Sequence, residues 1–390
     1  LSTPVRREIL LNPGPVNVSD RVRQALMRGD LCHREPEFSR LMTNVRRMVE
    51  ALFAPGGAHT AVLVAGSGTS AVEAMVSNSV APGRKLAVVT NGVYGERIAD
   101  MAKRHEIPLV TIAGTGGAGG VEPPHAKWTS IPSLSDVEKA LDDPAVETLA
   151  AVHHETTTGL LNPIRDWAQA AKKRGKTFVL DSVSGMAGEE LDLDWGVDAV
   201  ACTANKCIQG LPGSSFVLVK KDVLARWKAY PQRTLYLDLG KNHEAQEKGF
   251  PAFTQPVQIL FAFEAALEEL REETVPARIA RMKKASRLLR AGFARLGLEL
   301  LLPEAVRSNT ITTLALPGGV TYPALHDALK ARGFVIYAGQ GGLEKSVFRV
   351  ANMGALGDAD FESFLGALRE SVPGGAGGTE SPRAALEARA

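Results

Sequence analysis

Cysteine is scarce: the 390-residue chain has Cys32, Cys202 and Cys207 and no others. Three cysteines make neither a disulfide framework nor a set of metal ligands, and the spacing of Cys202 and Cys207 is not C-x-x-C. They read as reduced thiols, and the expected location is the cytoplasm. No apolar run approaches the roughly 18 residues that cross a bilayer, so no membrane span is expected. The opening LSTPVRREILLNPGP has no signal-peptide core. Charge of one sign is lacking as well. A net charge of +2 with interspersed signs leaves no basic stripe, so no nucleic-acid partner is expected. Also missing are a P-loop and a complete G-x-G-x-x-G, which removes the usual nucleotide fingerprints. What remains is an ordinary soluble composition, 45% hydrophobic and 23% charged, on a chain long enough for two or three domains.

The informative part is residues 174–213, where two short apolar runs, Thr177–Leu180 and Ala199–Ala201, read as buried strands of a mostly parallel sheet. Asp181 ends the first. Lys206 follows the second, with Gly210, Pro212 and Gly213 forcing a turn behind it. Ligands of open α/β sheets gather at the carboxyl ends of strands, so an acid and an amine 25 residues apart can face one ligand. A pyridoxal phosphate site uses that pair, a lysine to bond the aldehyde and a carboxylate to hold the pyridine nitrogen. On their own, the two residues also read as a strand cap and a surface charge.

Other strand ends carry polar segments. AVLVA at 61–65 runs into Gly66-Ser67-Gly68-Thr69 and a helix from about Ser70, an arrangement that converges backbone amides on an anion or simply makes a tight turn. The strand at 84–90 ends at Asn91-Gly92, with Tyr94 opening the next helix, either stacked on a flat ring or packed on its own core. The strand at 148–152 delivers His153-His154-Glu155-Thr156-Thr157-Thr158-Gly159. Adjacent histidines on extended chain point to opposite faces, so no metal site is expected; the threonines can offer hydroxyls to a polar ligand. Helices are expected at 19–27, 39–52, 135–141, 162–173, 221–228, 259–273, 277–296, 322–332 and 358–370. Strands are expected at 107–112, 215–219, 310–316, 334–337 and in VFRVAN, which carries Arg349. Residues 114–128 read as a Gly/Pro-rich surface loop and 232–258 as an irregular functional or interfacial segment. Strands alternating with helices through the middle of the chain imply right-handed crossovers and a parallel sheet.

LLNPGP, GSGTSAVEA, NGVYGER, HHETTTGLLNPI, VLDSVSGMAGEELD, TANKCIQGLPG, TLYLDL, FTQPV, GFVIYAG and FRVANMG together resemble the class V aminotransferases, in that family's order, from about Leu10 to Arg369. The likeness extends to the branch that uses 2-aminoethylphosphonate and pyruvate. It implies PLP fold type I. A large domain (17–258) would hold a mostly parallel seven-stranded sheet between helices. A smaller α/β domain would join 1–16 to 259–372, and 373–390 would be a disordered tail.

The resemblance further implies pyridoxal phosphate bound covalently by Lys206, with Asp181 on its ring nitrogen. Ser67, Gly68 and Thr69 would cup its phosphate, Tyr94 and Val183 would cover its two faces, and Thr156 would lie near its 3′-oxygen. Thr254 would reach the phosphate of a neighbouring subunit's cofactor in a homodimer, and Arg349 would clamp the keto-acid carboxylate. Asn12, where a threonine is common, and HREPEF at 33–38 depart from the phosphonate pattern. They leave alanine– or serine–glyoxylate transamination, or a related phosphonate or amino acid donor, as the alternative. Asn12 and Arg34 are candidate donor-pocket residues, with Arg233 a second candidate cation. A desulfurase would need a mobile cysteine in the second domain, and none follows Cys207.

Overall fold

The computed structural model describes residues 7–114 and 125–372. The expected tail at 373–390 and much of the loop at 114–128 lie outside the described residues. A two-residue strand, β1 (Ile9–Leu10), precedes helices α1 (Asp20–Gln24) and α2 (Pro36–Phe53). Ser19 caps α1 by accepting from the Val22 amide at 3.1 Å, the role its position suggests. Pro36 does not break the chain before a helix. It is the first residue of α2, where a missing N–H costs nothing.

Then β2 (His59–Gly66), α3 (Gly68–Asn78), β3 (Lys85–Val89), α4 (Val93–Arg104), β4 (Leu109–Ile112), α5 (Leu134–Leu141) and β5 (Val146–Val152) alternate. A small hairpin follows, β6 (His154–Glu155) with β7 (Leu160–Leu161), and then α6 (Ile164–Lys173), β8 (Thr177–Asp181), β9 (Ala199–Thr203) and β10 (Gly213–Lys220).

Seven of these strands form one sheet in the order β2-β10-β9-β8-β5-β3-β4. Only β10 is antiparallel to its neighbours; the remaining pairings are parallel. Alternate residues feed opposite faces, as the pleat requires. Leu63, Phe178 and Leu180 pack with α2 and α6 on one side, while Val62, Val64 and Val179 pack with α3 and α4 on the other. The five parallel strands other than β4 therefore end on one edge. Gly66, Asn91, the β6–β7 hairpin, Asp181 and the turn holding Lys206 follow them there.

The second half of the chain adds α7 (Lys221–Lys228), α8 (Leu239–Glu247), α9 (Val257–Glu273) and α10 (Val275–Arg295). Helix α8 corrects the expectation of wholly irregular chain at 232–258: Asp238 caps it, accepting from Lys241 N at 2.9 Å, and Gln246 bonds both Leu63 backbone groups. It is a mostly polar helix held by side-chain bonds, so apolar periodicity does not reveal it. Helix α10 shows Lys283, Lys284 and Arg287 to solvent.

Finally come β11 (Ile311–Ala315), α11 (Tyr322–Ala331), β12 (Phe334–Val335), β13 (Tyr337–Ala338), β14 (Val347–Ala351) and α12 (Asp358–Ser371). The strand expected at 334–337 is two: β12 pairs in parallel with β1, and β13 joins β14 and β11 in an antiparallel sheet. Leu11 packs with Phe293, Phe334, Phe348 and Phe364, so the chain's beginning shares a core with its C-terminal part. Among the described residues no helix is long and apolar enough to cross a membrane.

Candidate active site

Asp181 is the last residue of β8 and is 6% exposed. Its Oδ1 accepts from the Val183 amide at 3.0 Å. Burial pushes its carboxyl up to about 6, against that hydrogen bond and the positive charges of Arg97 and Lys206. Lys206 lies just past β9. Burial pulls its amine down to about 8; Arg349 and Arg97 push the same way, whereas Cys207 and Asp181 oppose them. The acid and the amine thus stand close enough to act on one another's titration. Lys206 Nζ donates to the Pro13 carbonyl, and a Cβ on Gly14, whose φ is +105°, would stand 2.7 Å from Nζ. The LLNPGP turn closes over the lysine, and it needs glycine there for both space and conformation.

Helix α3 begins two residues earlier than its sequence suggests, at Gly68 with Ser67 as the capping residue. A Cβ on Gly68 would stand 2.8 Å from the Val183 methyls, so Val183 lies directly against the helix start. Gly68, Thr69, Tyr94, Arg97, Asp181 and Val183 line one pocket. The free amides and dipole of the α3 N-terminus favour an anion there. Arg97 lies 4.7 Å from the Tyr94 ring centroid, and its Nη1 donates to Thr69 Oγ1 at 3.4 Å. Sequence reading passed over Arg97, although its position three residues after Tyr94 puts both on one helix face.

The hairpin turn supplies the third wall. Thr156 Oγ1 is buried and has no protein partner. Arg349, at 3% exposure, spans from β14 to this turn: Nη1 donates to the Thr156 carbonyl at 2.7 Å and to Gln340 Oε1 at 3.0 Å, and Nε to the Ala338 carbonyl at 2.8 Å. Nη2 has no protein acceptor among the described residues and is the nitrogen available to a ligand carboxylate. His153 and His154 are buried, bonding Ser182 Oγ at 3.0 Å and, more weakly, the Ser184 carbonyl at 3.4 Å.

The structure brings together Gly68, Thr69, Tyr94, Asp181 and Val183 in one pocket, bonds Arg349 to Thr156, and sets Lys206 in the field of Asp181 and Arg349; Ser67 is exposed at the start of α3. Thr254 is exposed, in the segment before α9, and Arg34 is exposed just before α2. Asn12 is buried, and its Nδ2 donates to the Pro15 carbonyl at 2.8 Å, bracing the turn over Lys206. Arg233 is not at the site. It bonds the Ser77 and Val80 carbonyls, both at 2.9 Å, at the far end of α3, where a cation suits the helix dipole.

Titration of the cofactor-free chain follows from this burial. Asp181 at about 6, Glu155 at about 7 and Glu189 at about 8 all bind protons more tightly folded than unfolded. Their contribution to stability is present at low pH and is lost as pH rises through those values. His153 and His154, pushed down by burial to about 4 and about 3, act in the opposite sense, and only below their ordinary 6.5. The melting temperature of the cofactor-free chain is therefore expected to fall between pH 6.5 and 8, by scanning calorimetry. A flat or rising curve would contradict the burial argument.

The donors present fit pyridoxal phosphate: an amine of lowered pKa, a buried carboxylate with one hydrogen bond, an orphaned threonine hydroxyl and an amide-lined helix start. The family model of the class V aminotransferases matches residues 19–356. The chain is 36% identical to the 2-aminoethylphosphonate–pyruvate transaminase of Syntrophobacter fumaroxidans, over 95% of this chain and 98% of that one. It is 37% identical to the enzyme of that name from Vibrio vulnificus strain CMCP6, over 93% and 97%. Among solved structures, an alanine–glyoxylate aminotransferase from Nostoc superposes with a TM-score of 0.84 at 25% identity, over 95% of this chain and 97% of that one. The architecture is PLP fold type I, and the cofactor is pyridoxal phosphate. This chain belongs to the class V aminotransferases.

Proposed function

We propose that the enzyme moves the amino group of 2-aminoethylphosphonate to pyruvate, giving phosphonoacetaldehyde and L-alanine in two half-reactions through one site. The observation that carries this reading is that Asp181 and Arg349 both stand close enough to Lys206 to move its pKa, in a chain alike over nearly its whole length to transaminases of that name. Pyridoxal phosphate, when bound, supplies the electron sink that makes the amine-bearing carbon acidic.

The chain's own residues do the rest. Lys206 would hold the cofactor through its aldehyde and, once the donor's amine has displaced it, would as a free amine take a proton from the donor's amine-bearing carbon. Its lowered pKa keeps a useful fraction neutral near pH 7. Asp181 holds the proton on the ring nitrogen. Ser67, Gly68 and Thr69 would bind the phosphate, Tyr94 and Val183 would cover the ring faces, and Thr156 would orient the ring from its 3′-oxygen. Arg349 takes the carboxylate of pyruvate or alanine, and Asn12 and Arg34 border the donor's entrance.

Residues 17–258 act as the large domain. The segment before residue 17 joins 259–372 as the small one, a division supported by the core that Leu11 shares with Phe348. The enzyme works as a cytoplasmic homodimer in which Thr254 reaches the neighbouring subunit's cofactor phosphate. Free cysteines and the exposed Leu235, Tyr236 and Phe250 near Thr254 support that reading.

Incubation with 2-aminoethylphosphonate and pyruvate is expected to produce L-alanine, against a panel of other amine donors. Turnover confined to alanine or serine with glyoxylate would replace this proposal. Arg349→Gln is expected to raise the KM for pyruvate by about 10- to 100-fold, the loss of one charge-assisted pair, with the donor KM much less affected. Equal effects on both substrates would remove Arg349 from the acceptor carboxylate.

A further inference from the structure

Helix α4 starts after Gly92, which has no side chain with which to cap it. Its first three amides are nonetheless met, all from the β6–β7 turn. Thr157 Oγ1 accepts from Val93 at 2.9 Å, Glu155 Oε2 from Tyr94 at 3.3 Å and Glu155 Oε1 from Gly95 at 2.7 Å. The Thr157 hydroxyl donates in turn to Glu155 Oε2 at 3.2 Å. Glu155 is fully buried. Room for it comes from one glycine: a Cβ on Gly92 would lie 2.2 Å from the Glu155 carboxyl, whereas one on Gly95 would first meet the Val89 carbonyl, at 2.3 Å. The φ of Gly92 is 176°, extended backbone that any residue adopts, so glycine stands there for space rather than conformation. The NGVYGER segment thus has Gly92 where a carboxylate from another strand end fills the volume of its missing side chain, while Gly95 gives room to the end of β3.

We infer that Glu155 is a positioning residue, a remote N-cap that fixes the first turn of α4 and with it Tyr94 and Arg97 against the pocket ending at Asp181. The inference rests on the reading of that pocket as the pyridoxal phosphate site. Two walls are tied by one side chain. Tyr94 sits on the capped turn, and Thr156, with its orphaned hydroxyl and its carbonyl on Arg349, is the next residue after Glu155. Helix amides favour the carboxylate form, while burial and the neighbouring Asp181 oppose it. Glutamine, which still presents one acceptor, should replace glutamate better than alanine does.

The test is a reciprocal rescue, read as the dissociation constant of pyridoxal phosphate from the resolved apoenzyme by absorbance titration. Glu155→Ala is expected to weaken binding by about tenfold, the scale of a lost cap. Gly92→Ser in the native background is expected to weaken it comparably, because its Cβ meets the carboxyl. The double variant is expected to recover most of the loss: the serine then fits the vacated space and caps Tyr94 locally, so the two changes are strongly non-additive. Glu155→Gln is expected to stay within about threefold of the native value.

Additive losses in the double variant, or native affinity in Glu155→Ala, would overturn the inference, as would failure of the double variant to fold when either single one does not. A native chain that takes up no pyridoxal phosphate would instead overturn the reading of the pocket, and this inference with it.

Discussion

Lys206→Ala is expected to lower turnover by about 10⁴-fold or more and to abolish the visible absorbance that pyridoxal phosphate gains on joining a protein amine. The size follows from what else the crevice offers. Arg97 and Arg349 share its positive charge, but guanidinium groups stay protonated and serve neither as nucleophile nor as base. His154 is buried and neutral, and its Nδ1 faces the Ser184 carbonyl and the Thr310 hydroxyl. Neither guanidinium can take over the proton transfer. The variant should fold well. Burial lowers the pKa of Lys206, so the charged amine costs stability at pH 7, and removing it should leave the melting temperature of the cofactor-free chain unchanged or raised. Activity within tenfold of native, measured as alanine formed, would remove Lys206 from the chemistry.

Asp181→Asn carries the next largest expected loss, about 10²- to 10³-fold in kcat/KM, with weaker cofactor binding in step. Asparagine keeps the volume, and its Oδ1 can still accept from Val183 N, so the strand end should survive. What disappears is the negative charge that holds a proton on the ring nitrogen. A second effect distinguishes this from simple damage. Asp181 raises the pKa of Lys206, so without it the amine should titrate lower, below about 8. The pH dependence of cofactor capture by the apoenzyme is therefore expected to shift to lower pH. A rate loss with an unmoved pH profile would mean that Asp181 and Lys206 do not share one field.

The sheet was largely legible because its strands are short apolar runs ending in glycine or polar residues, and Ala61–Ala65 and Thr177–Leu180 needed only small extensions. Capping explains several boundary shifts. Pro36 begins α2, and Gly68 begins α3 because Ser67, still extended, stands as its N-cap. The split of 334–337 between two sheets was beyond reach, since pairing partners at positions 9 and 349 decide it. Within the site, the residues that touch through short spacing or sit at strand ends were readable. Glu155 was not, because its role lies in amides some 60 residues away.

By itself the sequence placed the parts, a lysine, a strand-end acid and a glycine-rich helix start, each visible from residue type and local pattern, while their joint chemistry came from the family resemblance. It determined the parallel sheet too, since period and turn residues are local properties. Only the tertiary structure decided that Arg349 is held by the Thr156 carbonyl, that Pro13 faces the lysine, and that Arg233 belongs to the far end of α3. These are contacts between distant segments, whose closeness depends on strand order and crossover hand, and neither leaves a periodic mark in the chain.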